Sequence, residues 1–112
     1  MRKRKGKKRD GKVILFPDFV RRSLEKGLEC LQNKNYSQAV GIFEDTLSHS
    51  PDNRDVYIGL LLAYYESGML QKAKEIAEEM LSKKIGDYLD TVELYMMVLV
   101  QLQEYEKLAK TI

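Results

Sequence analysis

The chain has 112 residues, of which 44% are hydrophobic and 32% charged, with one cysteine and no tryptophan. That length allows one domain with a small core. The lone cysteine excludes an intramolecular disulfide and suits a reducing compartment, and no apolar run approaches the ~18 residues of a membrane-spanning helix.

The net charge of +2 conceals a division along the chain. Residues 1–12 hold Arg2, Lys3, Arg4, Lys5, Lys7, Lys8, Arg9 and Lys12 against Asp10, a charge of +7, whereas the other 100 residues carry −5. With no apolar periodicity and two glycines, this segment reads as a solvated, flexible basic arm. Val13-Ile14-Leu15-Phe16 follows as an apolar lead-in over 13–19. Pro17 and Asp18 stop it short of the ~7–15 apolar residues of a secretory signal. Phe16 precedes a proline and is expected to be extended. Pro17 suits a first helical turn, where its missing N–H would have no partner. The short apolar run could cap the first helix pair or dock on the body.

From Pro17 onward the periodicity is helical. The first helix is expected to reach about Asn33, with Val20, Leu24, Leu28 and Leu31 on one face. Cys30 falls on an apolar face and reads as a small buried hydrophobe. Asn33-Lys34-Asn35 is a turn, with Asn35 and Gln38 arranged as a capping box. A second helix carries Tyr36, Ala39, Val40, Phe43 and Leu47. Ser50-Pro51-Asp52-Asn53 ends it and caps a third, with Val56, Tyr57, Leu60, Leu61 and Tyr64. Gly68 turns the chain into a fourth helix bearing Ala73, Ile76, Ala77, Met80 and Leu81. Gly86-Asp87 leads to a fifth, ending near Gln103, and a short sixth is expected from Glu104 with Tyr105, Leu108, Ala109 and Ile112.

These elements repeat. Tyr36-Ser37-Gln38-Ala39 returns as Leu70-Gln71-Lys72-Ala73 and again as Tyr105-Glu106-Lys107-Leu108, at offsets of 34 and 35 residues. That period belongs to a helix–turn–helix solenoid, whose units bury their apolar faces only by stacking. The expected fold is all-α, an α-solenoid of antiparallel helix pairs with about two and a half repeats, near 20–53, 54–88 and 89–112.

Position by position the chain resembles the tetratricopeptide repeat. Gly27, Tyr36, Ala39, Phe43 and Pro51 keep the family spacing in the first repeat, and Tyr57, Leu60, Tyr64, Gly68 and Ala73 keep it in the second. The third keeps Tyr95, Leu99, Tyr105 and Leu108. The contact between paired helices is small against large in the first repeat, Gly27 with Phe43, and large against small in the second, Leu61 with Ala77. Such an exchange conserves volume in a close-packed core. Ile85 replaces the closing proline of the second repeat, and the extra residue near Lys84-Ile85-Gly86 lengthens the turn before the third.

The resemblance implies a cytoplasmic protein, similar to bacterial members of the family, that binds a protein or peptide on its inner face. The carboxylate clamp of some relatives would need polar groups at Leu24, Leu28, Leu62, Asp90 and Leu94. None of these fits, and Asp90 would repel a carboxylate. The inner-face positions are Arg21, Leu24, Leu28, Ile58, Leu62, Tyr65, Met97 and Val100, an apolar groove suited to an amphipathic helix or extended apolar segment. The basic arm has three readings: a solubilising tail, a contact to phosphates of RNA, ribosome or DNA, or a contact to an anionic membrane surface. No aromatic interleaves it, so base stacking is not indicated.

Leu94 to Val100 are seven consecutive apolar residues, which calls for cover on all sides. The faces of Tyr95, Met96, Leu99, Leu108 and Ile112 are therefore a candidate self-association surface, unless the chain continues beyond Ile112. Catalysis is not expected: His49 stands alone at a helix end, Glu78-Glu79 and Glu104/Glu106 read as solvated faces, and no phosphate loop, nucleophile elbow or metal spacing occurs. No cofactor or metal is expected.

Overall fold

The computed structural model describes the backbone over residues 11–111 and the side chains over 18–107 and at Lys110. Five helices follow in order: α1 (Gly11–Gln32), α2 (Tyr36–His49), α3 (Arg54–Glu66), α4 (Leu70–Lys83) and α5 (Tyr88–Thr111). There is no strand among the described residues. Each helix packs on the next, and α1 also packs on α3. The fold is an α-solenoid of antiparallel pairs, α1/α2 and α3/α4, followed by the first helix of a third unit. The basic arm, apart from Lys12 in the backbone of α1, lies outside the described residues, as does Ile112.

The turns inside both complete repeats are built alike. Lys34 (φ 62°) and Gly68 (φ 87°) are left-handed. The next residue's N–H reaches back five positions in each: Asn35 to the Cys30 carbonyl and Met69 to the Tyr64 carbonyl, both at 2.8 Å. This arrangement satisfies carbonyls that the last helical turn leaves without partners. A third copy ends α4, with Lys84 left-handed and the Ile85 N–H donating to the Met80 carbonyl at 2.9 Å. Ile85, where the family pattern has its proline, is buried there. Asn53 caps α3 as expected, its side chain accepting from the Val56 N–H at 3.2 Å. The Asp87 carboxylate accepts from the Asp90 N–H at 3.1 Å at the start of α5.

Three expectations are corrected. The first helix begins at Gly11 and runs through Pro17, so Phe16 is helical and not extended. Proline's fixed φ fits a helix, at the cost of the bond from its own nitrogen and of a ring clash with the carbonyl four residues back. Asn35 stands at the N-cap of α2 but its side chain makes no capping hydrogen bond, so the capping box does not form. The turn's own backbone bonding already holds this junction. Among the described residues there is also no sixth helix: α5 runs unbroken to Thr111. The third counterpart of Lys34 and Gly68 is Gln103, and nothing from Leu102 to Tyr105 favours a left-handed residue or interrupts a helix.

The core is centred on Phe43, Tyr57, Leu61, Val56 and Met80, all fully buried. The Phe43 ring sits against two glycines. A Cβ at Gly27 would lie 2.5 Å from its Cζ, and one at Gly59 would lie 2.6 Å from the same atom. The expected Gly27–Phe43 pair is therefore present, and Gly59 closes the other side. Leu61 and Ala77 are both fully buried, on α3 and α4.

Candidate partner-binding face

The packing of α1 beside α3 places the first helices of the two repeats next to each other. On α3, Val56, Tyr57, Leu60, Leu61 and Tyr64 are buried. Ile58, Leu62 and Tyr65 fall between them and remain half-exposed along the core's edge. On α1, Leu24 is half-buried, Leu28 is 47% exposed and Arg21 is exposed. None of the eight inner-face positions is buried.

Arg21, Leu24 and Leu28 share one cavity of about 550 Å³ with Val20 and Glu25 of α1 and with His49, Ser50, Asn53 and Asp55 from the α2–α3 junction. Ile58, Leu62 and Tyr65 continue along α3. Met97 is half-buried and Val100 exposed on α5, whose main packing is with α4. The lining mixes apolar Val20, Leu24 and Leu28 with charged Arg21, Glu25 and Asp55. Arg21 pairs with Asp18 and lies 3.9 Å from Glu25. Arg54 pairs with Asp55 at 3.4 Å and with Asp90 at 3.7 Å, linking the starts of α3 and α5. These pairs are exposed, so each contributes at most about 1 kcal/mol.

His49 forms part of this wall, a role the sequence reading did not give it. Its Nδ1 lies 3.0 Å from the Asp45 carbonyl, and its ring meets Phe19 edge-on at 5.2 Å. The signal was positional: the last residue of α2 lies beside the first helix of its own pair.

The tyrosines of α3 and α5 tie the layers together on the other side. The Tyr57 hydroxyl donates to Glu79 at 2.8 Å and accepts from the Lys83 ammonium at 2.9 Å. Lys83 is also 3.0 Å from Glu79. Tyr64 donates to Glu44 at 3.0 Å, and Tyr95 to Glu78 at 2.8 Å. Glu78 and Glu79, expected on solvated faces, thus accept hydrogen bonds between helices while staying partly exposed. Burial pushes the Tyr57 and Tyr64 phenols up, and the bond to Glu78 does so for Tyr95. The Lys83 bond and then the Tyr57 bond hold Glu79 below the usual carboxylate value. The same contacts, that from Tyr57 first, raise Lys83.

Among the described residues no three His, Cys, Asp or Glu side chains gather as metal ligands. No helix among them is long and apolar enough to cross a membrane. Of the five positions expected to form a self-association surface, Tyr95 turns toward α4 through Glu78, whereas Met96 is 54% exposed and Leu99 half-buried. The side chains of Leu108 and Ile112 lie outside the described residues.

A tetratricopeptide-repeat family model matches residues 31–84, from the end of α1 through α4. The chain is 32% identical over 105 residues to the TPR repeat-containing protein YsoA of Bacillus subtilis (strain 168). That match covers 94% of this chain and 31% of the relative, so the chain spans about a third of the relative's length. No solved structure matches the chain. With its paired helices, its two alike left-handed turns 34 residues apart and the family match across them, the chain carries tetratricopeptide repeats over residues 31–84.

Proposed function

We propose that this chain is a scaffold that binds a peptide or helix of a partner protein on the face formed by α1, α3 and α5. Tetratricopeptide repeats serve in general as protein–protein interaction modules. The observation that carries the finer reading is the row of half-exposed apolar side chains, Leu24, Leu28, Ile58, Leu62 and Tyr65, beside a cavity of about 550 Å³. An amphipathic helix or extended apolar segment fits such a row, because alternate anchors can enter it while polar groups face the rim. The reading is of a non-enzymatic, cytoplasmic module.

A second reading rests on the charge of +7 in residues 1–12 against −5 in the rest. In it the arm supplies affinity for nucleic-acid phosphates or a ribosome, and the solenoid is a platform. Capture of binding partners with and without residues 1–12, at low and high salt, separates the two. Groove binding survives both removal of the arm and added salt. Phosphate binding is lost with the arm and falls steeply with ionic strength.

A further inference from the structure

Resting on the groove reading above, we propose that its occupant is a basic amphipathic helix of another protein, with lysines or arginines along the flank that faces the starts of α3 and α5.

The repeat lines up the inner face in rows, at offsets of 34 residues from α1 to α3 and 35 from α3 to α5. The first row is Arg21, Asp55 and Asp90, and the second is Leu24, Ile58 and Glu93. The third row, Leu28, Leu62 and Met97, is apolar. So is the fourth, where Tyr65 and Val100 follow a buried Leu31. The Arg54 guanidinium lies 3.4 Å from Asp55 and 3.7 Å from Asp90, so the first-row acids of α3 and α5 are neighbours. Asp55 and Glu25 line the same cavity as Leu24 and Leu28, so the acids and the apolar rows border one space.

The polar edge of this face is acidic. On α1, Asp18 and Glu25 balance Arg21 and Arg22. At the starts of α3 and α5, Asp52, Asp55, Asp87, Asp90 and Glu93 stand against Arg54 alone, and all six are exposed. Asp55 and Asp90 lie in first helical turns, where the helix dipole favours an acid. Glu93 has no such role. It lies beyond the first turn of α5, it occupies the row of Leu24 and Ile58, and its side chain has no partner among the described residues. An exposed, unpaired acid within an apolar row is complementary to a base carried on an otherwise apolar surface.

The spacing selects a helix. Asp55 and Leu62 are seven residues apart on α3, about 10 Å along its axis and close to one helix diameter. A helix laid across α1, α3 and α5 meets the acidic and apolar rows together, through two adjacent stripes of its own surface. A strand sends successive side chains to opposite faces and so parts its basic groups from its apolar ones. The chain's own basic arm does not match this occupant, because Met1 is the only apolar side chain in residues 1–12.

The test uses two labelled model peptides of about 18 residues, enough to cross three packed helices. Both carry one helical leucine stripe, flanked by lysines in the first and by glutamates in the second. Fluorescence anisotropy measures their affinities for the 112-residue chain, for an Asp55→Lys/Glu93→Lys double variant and for Leu62→Ser, with circular dichroism to confirm folding. The arm is the same in all three, so the readout is how the ratio of the two affinities changes. The double variant should shift that ratio toward the glutamate peptide at least about tenfold. Leu62→Ser should weaken both peptides and leave the ratio unchanged. A ratio that the double variant does not move would overturn the basic-helix proposal, while weakening of both peptides by Leu62→Ser would leave the groove reading standing. A shifted ratio with no effect of Leu62→Ser would place the attraction outside the apolar rows and overturn both. Failure of both peptides to bind at any concentration would overturn the basic helix, and capture of the natural partner by Leu62→Glu then judges the groove by itself.

Discussion

The ring of Phe43 is clamped between Gly27 of α1 and Gly59 of α3. It lies so close that a Cβ at either glycine would approach its Cζ to 2.5 or 2.6 Å. One α2 side chain thereby sets the spacing of both first helices, and those helices carry the proposed groove. The ring cannot retreat from one glycine without meeting the other.

Gly27→Ala and Gly59→Ala should therefore each destabilise the fold. Alanine in a helix is favoured over glycine by about 1 kcal/mol, but overpacking costs about 1–3 kcal/mol, and the pinned ring makes the second effect the larger. Urea unfolding measures the difference. Adding Phe43→Leu to Gly27→Ala should recover part of the loss, which a double-mutant cycle detects as coupling. Independent, additive effects would contradict the clamp.

Lys34→Gly and Lys84→Gly should stabilise. Both lysines hold φ near +60°, a conformation that costs a side-chain-bearing residue about 1–2 kcal/mol. Each change should raise the urea midpoint, by about 1 kcal/mol once glycine's larger unfolded-state freedom is counted. No change or a loss at Lys34 would mean that its side chain contributes a compensating contact.

Stability should depend on pH at both ends. Glu79 is held below its ordinary 4.5, so its contribution is present above that value and lost as pH falls through the folded pKa. Tyr57, Tyr64 and Tyr95 are raised above 10.0 and Lys83 above 10.5. Their contributions are complete below those values and lost as pH rises through the folded ones. Unfolding midpoints should form a plateau between about pH 5 and 10. Tyr57→Phe should lower the plateau by about 1 kcal/mol and reduce the alkaline fall. An unchanged alkaline limb would show that the Tyr57–Lys83–Glu79 contacts do not govern it.

Much of this fold is legible in the sequence because a solenoid repeats its evidence. The period located the helices, Gly68 and Asn53 marked their ends, and the small-to-large exchange at Gly27 and Phe43 named a core contact. Gly59 escaped notice because a glycine inside an apolar helix carries no periodic signal, and its role depends on a ring of the neighbouring helix, Phe43 of α2. The expected sixth helix rested on the return of Tyr105 to Leu108, but a repeat in side chains does not supply the left-handed residue a turn needs. The partners of Glu78 and Glu79 were hidden for a related reason: hydrogen bonds between helices depend on the rotation of each about its axis. The groove was placed by position in the repeat. The structure leaves its residues unburied, and the part played by His49 required the α2–α3 junction to be seen in three dimensions.

The most direct measurement of the proposed groove compares Leu62→Glu with Phe43→Ala for partner capture and for folding. Leu62 is half-exposed on the inner edge of α3, and Phe43 is fully buried. Leu62→Glu should keep the helical circular dichroism and a cooperative melt while losing the captured partner. Phe43→Ala should cost about 3–5 kcal/mol and unfold the first repeat. A folded Leu62→Glu protein that still captures the same partner would contradict the groove. A melted Leu62→Glu beside an intact Phe43→Ala would show that inner face and core had been exchanged.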